Sequence, residues 1–210
     1  MRIAAEGVPF IVGLGLIAAI LFAVGHSAAY GMGGVSFVLA IFCCFFFRDP
    51  LRNPDPDPRF VISPGHGRIM EVTEETHAMT GGKVKVIRIF LSILDVHVQH
   101  SPISGKVARI EYQKGKFLDA RHPKAAHENE NNSILIENDR MKVVVKQIAG
   151  LIARRIVCHV RLGEEVRVGQ KLGLIRFGSQ VDVYLPTDLE VCVAPGERVV
   201  SGVSLLAIKK

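Results

Sequence analysis

Tryptophan is absent from this 210-residue chain, and tyrosine occurs only three times. No Asp, Glu, Lys or Arg occurs between Gly7 and Phe47. A run of that length without a charge is not a solvated surface segment. Cysteine is scarce too: Cys43, Cys44, Cys158 and Cys192, with no C-x-x-C pair. That pattern excludes a disulfide framework and suits a reducing compartment. There is no arginine-rich arm and no interleaving of basic with aromatic residues, so nucleic acid is not the expected partner of the net charge of +6. An anionic membrane is.

The uncharged run has two apolar blocks, Val8–Val24 and Val35–Phe47, around a glycine-rich break at Gly25–Gly34. Crossing the hydrocarbon core takes about 20 apolar residues. The first block is marginal, and the second is long enough if it begins near Ala28. Two helices joined by a tight turn are expected over residues 1–47, either spanning the bilayer or lying as a shallow hairpin in one leaflet. A cleaved signal peptide would be shorter and would not resume after a break. Arg2 precedes the pair, and Arg48 and Arg52 follow it. For a spanning pair this places the remaining chain in the cytoplasm, on the inner face of the cell membrane.

Residues 48–58 form a proline-rich linker, with Pro50, Pro54, Pro56 and Pro58 excluding regular helix. Beyond it, short apolar runs alternate with Gly, Pro, Asn and Asp: Val84–Leu91, Val107–Tyr112, Ser133–Glu137, Met141–Val145, Val181–Leu185 and Leu205–Ile208. These read as strands. Gln147–Ile156 suits either a strand or a short helix, and polar Lys114–Asn132 reads as a long surface loop. Gly163–Leu172 and Gly196–Leu205 share Gly, Val, Gly and Leu at the same offsets, as in the turns of lipoyl-type β-sandwiches. No lysine sits at a tight hairpin as a carrier domain requires; Lys142 is the nearest. The expected fold is mainly β (α+β), a β-sandwich-like catalytic domain over 59–210 behind an N-terminal hydrophobic helical hairpin.

Two stretches carry chemistry. In Arg176–Pro186, Val181, Val183 and Leu185 alternate with Asp182 and Tyr184, predicting a half-buried strand. Gly178-Ser179 stands at its start, where glycine leaves a carbonyl open to the next hydroxyl. In Leu94–Gly105, a strand would put Asp95 and His97 on one face and His100 on the other. An H-x-x-H pair can bind metal, but no third ligand follows at motif spacing, so no metal is expected.

The run Gly173–Pro186 resembles the processing site of the short bacterial and archaeal phosphatidylserine decarboxylases. The Asp95–His100 segment, the Phe46–Pro50 junction, Asn129–Asn132 and Gln147–Ile156 resemble further segments of that family. The resemblance implies self-cleavage between Gly178 and Ser179, giving a beta chain (1–178) and an alpha chain (179–210). Ser179 would become a covalent pyruvoyl cofactor, which takes the amine of phosphatidylserine as a Schiff base and yields phosphatidylethanolamine. It further implies His100 as the base for cleavage and His97 as the group acting in decarboxylation. Arg154 and Arg155 are candidate phosphate contacts, and a homo-oligomer is compatible with all of this.

One position departs. The family's Ser-Pro-x-Asp-Gly motif reads Ser63-Pro-Gly-His-Gly67 here, with His66 in place of the triad aspartate. A histidine supplies no negative charge to an imidazolium. The alternatives are therefore an unprocessed, non-catalytic relative that binds lipid or a partner, and a lipoyl-like membrane adaptor.

Overall fold

The structure is a computed structural model and describes residues 2–122, 124–151, 155–176 and 179–210. The chain divides after Leu51 into two compact units.

In the first unit, α1 (Val8–Val24) and α2 (Ser27–Phe46) form an antiparallel hairpin. Gly25, at φ +74°, makes the turn. From Ser27 onward the glycine-rich segment expected as a break is helical instead, with Ala29 and Gly33 buried in the helix interface. Ala29, Gly33, Ser36, Ala40 and Cys43 form the buried stripe of α2. A Cβ on Gly33 would come within 2.9 Å of the Phe22 ring. Ser36 Oγ donates to the Leu14 carbonyl at 2.8 Å, so its hydroxyl is satisfied between the helices. Leu16, Ile17 and Ile20 of α1 and Val35, Val38 and Ile41 of α2 face outward and are exposed. By length and composition both helices are able to cross a membrane. The two-residue strands β1 (Arg2–Ile3) and β2 (Arg48–Asp49) pair at the base of the hairpin.

The second unit is antiparallel β. Its strands are β3 (Phe60–Ile62), β4 (Gly67–His77), β5 (Gly82–Leu91), β6 (Val98–His100), β7 (Gly105–Gln113), β8 (Asn131–Glu137), β9 (Lys142–Ala149), β10 (Ile156–Cys158), β11 (Glu165–Val166), β12 (Lys171–Ile175), β13 (Ser179–Pro186), β14 (Leu189–Val191), β15 (Arg198–Val199) and β16 (Leu205–Lys209). Eight of them form one sheet in the order β11-β7-β8-β9-β13-β5-β4-β15. Two three-stranded sheets, β10-β12-β6 and β14-β16-β3, complete the unit. The main core gathers Ile87, Ile89 and Leu91 of β5, Ile134 and Ile136 of β8, and Val181, Val183 and Leu185 of β13. Burying each such side chain stabilises the fold by roughly 1.5–3 kcal/mol.

β13 is buried on both faces, not half-buried as the alternation predicts. Its polar face carries Gln180, Asp182 and Tyr184: the segment read as a surface loop folds back beside Gln180, Arg88 reaches Asp182, and the His77 ring lies against Tyr184. That segment contains a short helix, α3 (Ala125–Glu128), with Ala125 and Ala126 buried. Lys146 on β9 donates to the Ala126 carbonyl at 2.7 Å, and Asn129 Nδ2 donates to the Ala149 carbonyl at 2.7 Å. Gln147–Ala149 ends β9, and Ile156 opens β10, so the ambiguous Gln147–Ile156 run is strand at both ends.

Candidate active site

Ser179 opens β13 in the middle of the large sheet, opposite Leu91 of β5 on one side and Ala149 of β9 on the other. It shares the core-facing side of the strand with Val181 and Val183. The residue is fully buried, and its Oγ has no hydrogen-bond partner among the described residues. A buried hydroxyl is normally bonded, so an unbonded one calls for an explanation. Gly178, the other half of the expected cleavage site, lies outside the described residues.

His100 ends β6, whose partner β12 leads toward Ser179. Its ring is buried, with Nδ1 2.7 Å from Ser201 Oγ. The Ser63–Gly67 turn bridges this region to β13. Its Pro64 carbonyl accepts from the His100 backbone N–H at 3.1 Å and from Ser201 Oγ at 2.6 Å. A Cβ on Gly65 would touch Val181 at 3.4 Å and Leu91 at 3.5 Å, which shows how closely the turn packs on the strand.

Asp95 and His97 do not sit on one strand face; they belong to the turn between β5 and β6. The turn exists because the Asp95 carboxylate caps it, accepting from Ser92 N–H at 2.9 Å and from Ser92 Oγ at 2.8 Å. Arg198 on β15 bonds the other oxygen of the same carboxylate. His66 Nε2 lies 3.8 Å from that oxygen. The Asp95 carbonyl accepts from His97 Nδ1 at 3.0 Å.

A buried amide chain holds the turn from behind. Asn132 donates to Gln147 at 2.9 Å, Gln147 donates to Gln99 at 2.9 Å, and Gln99 donates to the His97 carbonyl at 2.7 Å. Sequence reasoning missed Ser201, Arg198, Gln99 and Gln147. A glutamine two residues from a histidine was the one available signal. Nothing in the local pattern marks Ser201.

The reverse face of β13 carries a second polar cluster. Arg88 on β5 bonds Glu71 and Glu75 and reaches Asp182 at 3.4 Å. Burial pushes the Asp182 carboxyl up to about 6, against the pull of Gln180, Arg88 and Lys146. Burial lowers Arg88, but its carboxylate neighbours outweigh this and raise it above the ordinary guanidinium value. Of the expected phosphate contacts, Arg154 is outside the described residues. Arg155 is exposed, and its carbonyl accepts from the Arg176 N–H at 3.1 Å.

The sequence model of the phosphatidylserine decarboxylase family matches residues 39–207. Curated relatives named phosphatidylserine decarboxylase proenzyme align over nearly the whole chain. The protein from Geobacter metallireducens is 44% identical, covering 98% of this chain and 96% of its own. That from Geobacter sulfurreducens is 42% identical with the same coverage. The relative from the Wolbachia of Brugia malayi is 40% identical over 96% of this chain and 89% of its own. The chain belongs to the phosphatidylserine decarboxylase family.

Proposed function

We propose that this protein is a membrane-anchored phosphatidylserine decarboxylase that cuts itself between Gly178 and Ser179. The observation that carries this is the buried, unbonded Ser179 hydroxyl at the head of the central strand. A hydroxyl kept there at a desolvation cost, with no partner among the described residues, suits a residue consumed in a reaction.

In the processing step, Ser179 Oγ adds to the Gly178 carbonyl and loses its proton to His100. The amide bond breaks as the ester forms, and the proton passes to the departing nitrogen. Elimination then removes the Ser179 Cα proton and expels the Gly178 carboxylate. Water takes the place of the nitrogen, which leaves as ammonia, and a pyruvoyl cap remains on the fragment 179–210. That cap supplies the electron sink for decarboxylation of an amino acid. The residues around it supply position and protons. Ser179 is fixed by strands on both sides. His97 is fully buried, and because a carbonyl only accepts, its Nδ1 carries the proton. Nε2 is then the lone-pair nitrogen that exchanges a proton with the reacting carbon.

The substrate would be a lipid met at the membrane. Apolar α1 and α2 support an anchor. The sheet end supports a lipid-facing mouth. β5 and β9 both leave the sheet where β13 begins, since Leu91 and Ala149 both pair with Ser179. Just beyond them Ile93, Leu94 and Leu151 are exposed, with exposed Arg155 nearby in sequence.

The second reading is an unprocessed relative that binds lipid without turnover, favoured by His66 at the triad position. Intact mass of the purified chain separates the two. The enzyme gives a fragment that starts at residue 179, resists Edman sequencing and reacts with a carbonyl reagent. A single uncut chain without carbonyl reactivity overturns the proposal.

A further inference from the structure

We infer that Ser201 is a positioning residue that sets the tautomer of His100, supplying the orienting half of the task that falls to a carboxylate at position 66 in the family pattern. The inference rests on the proposed role of His100 as the base for self-cleavage.

Ser201 is fully buried, and its Oγ lies 2.6 Å from the Pro64 carbonyl and 2.7 Å from His100 Nδ1. A carbonyl oxygen can only accept. At that distance the serine hydrogen must point to Pro64, since otherwise two oxygen lone pairs would face each other at 2.6 Å. Among the described residues the other near acceptor of Ser201 Oγ, the Val98 carbonyl at 3.4 Å, leads to the same result. The serine hydrogen is therefore spent on a carbonyl, and Oγ meets His100 as an acceptor. His100 Nδ1 carries the proton, and Nε2 is left with the lone pair.

The arrangement closes on itself. His100 Nδ1–H donates to Ser201, Ser201 donates to the Pro64 carbonyl, and that same carbonyl accepts the His100 backbone N–H at 3.1 Å. Ser201 is fixed from the other side as well. The next residue, Gly202, donates its N–H to the Ser63 carbonyl at 2.8 Å. Three chain segments distant in sequence thus hold one imidazole in one tautomer. In water, a neutral imidazole side chain favours the proton on Nε2, so the site works against the intrinsic preference. Which nitrogen is protonated is set by the bond that the other makes.

A serine hydroxyl replaces only part of a carboxylate. It orients the ring but carries no charge to stabilise the imidazolium that forms when His100 takes a proton. Orientation and charge, joined in one aspartate in a conventional triad, are separate here.

The test uses the full-length chain in detergent with Ser179→Ala, which cannot cut itself, and with 15N-labelled histidine. The His100 signals are assigned by their loss in His100→Gln. The expected result is an Nδ1-protonated neutral ring, shifting toward Nε2 protonation when Ser201→Ala is added. An Nε2-protonated ring with Ser201 intact overturns the inference, and this arm needs no Ser201 variant to fold. In the self-cleaving chain, Ser201→Ala should slow processing at least about tenfold, below the roughly 10⁴-fold that loss of a triad carboxylate costs. Ser201→Thr, which keeps the hydroxyl, should restore most of the rate. Processing of Ser201→Ala at the parent rate also overturns it. If the parent never processes, the proposed activity fails, while the tautomer measurement still decides the role of Ser201.

Discussion

The Nε2 atom of His66 faces Asp95 Oδ1 at 3.8 Å, so the histidine standing where the family resemblance leads one to expect an aspartate lies beside a buried carboxylate from a different motif. That carboxylate is already engaged. One oxygen caps the Ser92 turn, and the other is shared with Arg198.

His66→Asp adds a second carboxylate next to Asp95, with Arg198 at hand to offset their repulsion. With the His100 ring already oriented, the added charge acts on the imidazolium alone. Self-cleavage should speed up by more than about tenfold, with roughly 10⁴ as the ceiling set by the serine-protease template. Precursor disappearance on a gel at neutral pH measures it. Equal rates for both chains would show that position 66 has no part in processing.

Ser179→Ala should abolish both cleavage and carbon dioxide release. It should also raise the thermal midpoint of the precursor, because it removes a buried hydroxyl without a partner, a desolvation cost of about 1–3 kcal/mol. Ser63→Ala should lower the midpoint. That hydroxyl is equally buried but donates to the Gly65 carbonyl at 2.7 Å, a bond worth about 1 kcal/mol. Shifts of the same sign in the two variants would contradict the unbonded state of Ser179.

Asp182 sets a pH dependence of stability. Folding raises its carboxyl from the ordinary 3.8 to about 6, chiefly through burial. Between those values the unfolded chain has lost the proton and the folded chain keeps it. The contribution of Asp182 is therefore full below about pH 4 and lost as pH rises through 6. The whole swing is of the order of 3 kcal/mol. Arg88, Lys146, Glu75 and Tyr184 surround the carboxyl and are unchanged in Asp182→Asn. Thermal midpoints measured from pH 4.5 to 7.5 should fall more steeply for the parent than for this variant. Parallel curves would exclude a raised Asp182.

Because the chain contains no tryptophan, a single introduced indole reports its own surroundings. Leu94→Trp and Leu151→Trp place it at the sheet end where β13 begins. Asp139→Trp places it in the exposed β8–β9 turn at the opposite end. On vesicles of phosphatidylglycerol and brominated phosphatidylcholine, the first two should be quenched and the third not. Equal quenching at all three sites would contradict a lipid-facing mouth next to Ser179.

The strands that are short apolar runs bounded by turn residues were legible in the sequence. Val84–Leu91 lies within β5, and Leu205–Ile208 lies within β16. β4 was not, because it reads Gly-Arg-Ile-Met-Glu-Val-Thr-Glu-Glu-Thr-His and spends its polar side on Arg88 rather than on water. The covering role of Lys114–Asn132 was hidden for a related reason. Its contacts run through main-chain carbonyls, such as that of Ala126, and through Asn129, none of which shows as apolar periodicity. At the site, the motif positions Ser179, His97 and His100 stood out by residue type. Ser201 did not, since its meaning comes from a partner a hundred residues away and a proton that no local pattern records.

β13 has neighbours on both edges from its first residue. Its downstream chain supplies β14 and β16 to one small sheet and β15 to the rim of the large one. A nick ahead of Ser179 would therefore separate two polypeptides that remain interleaved like the fingers of clasped hands. Neither piece would diffuse away, and neither would present a finished surface on which the other could later dock. The break would convert one folding problem into a pair that has no independent solutions, so a protein cut in this way could be assembled only once, as a single translation product.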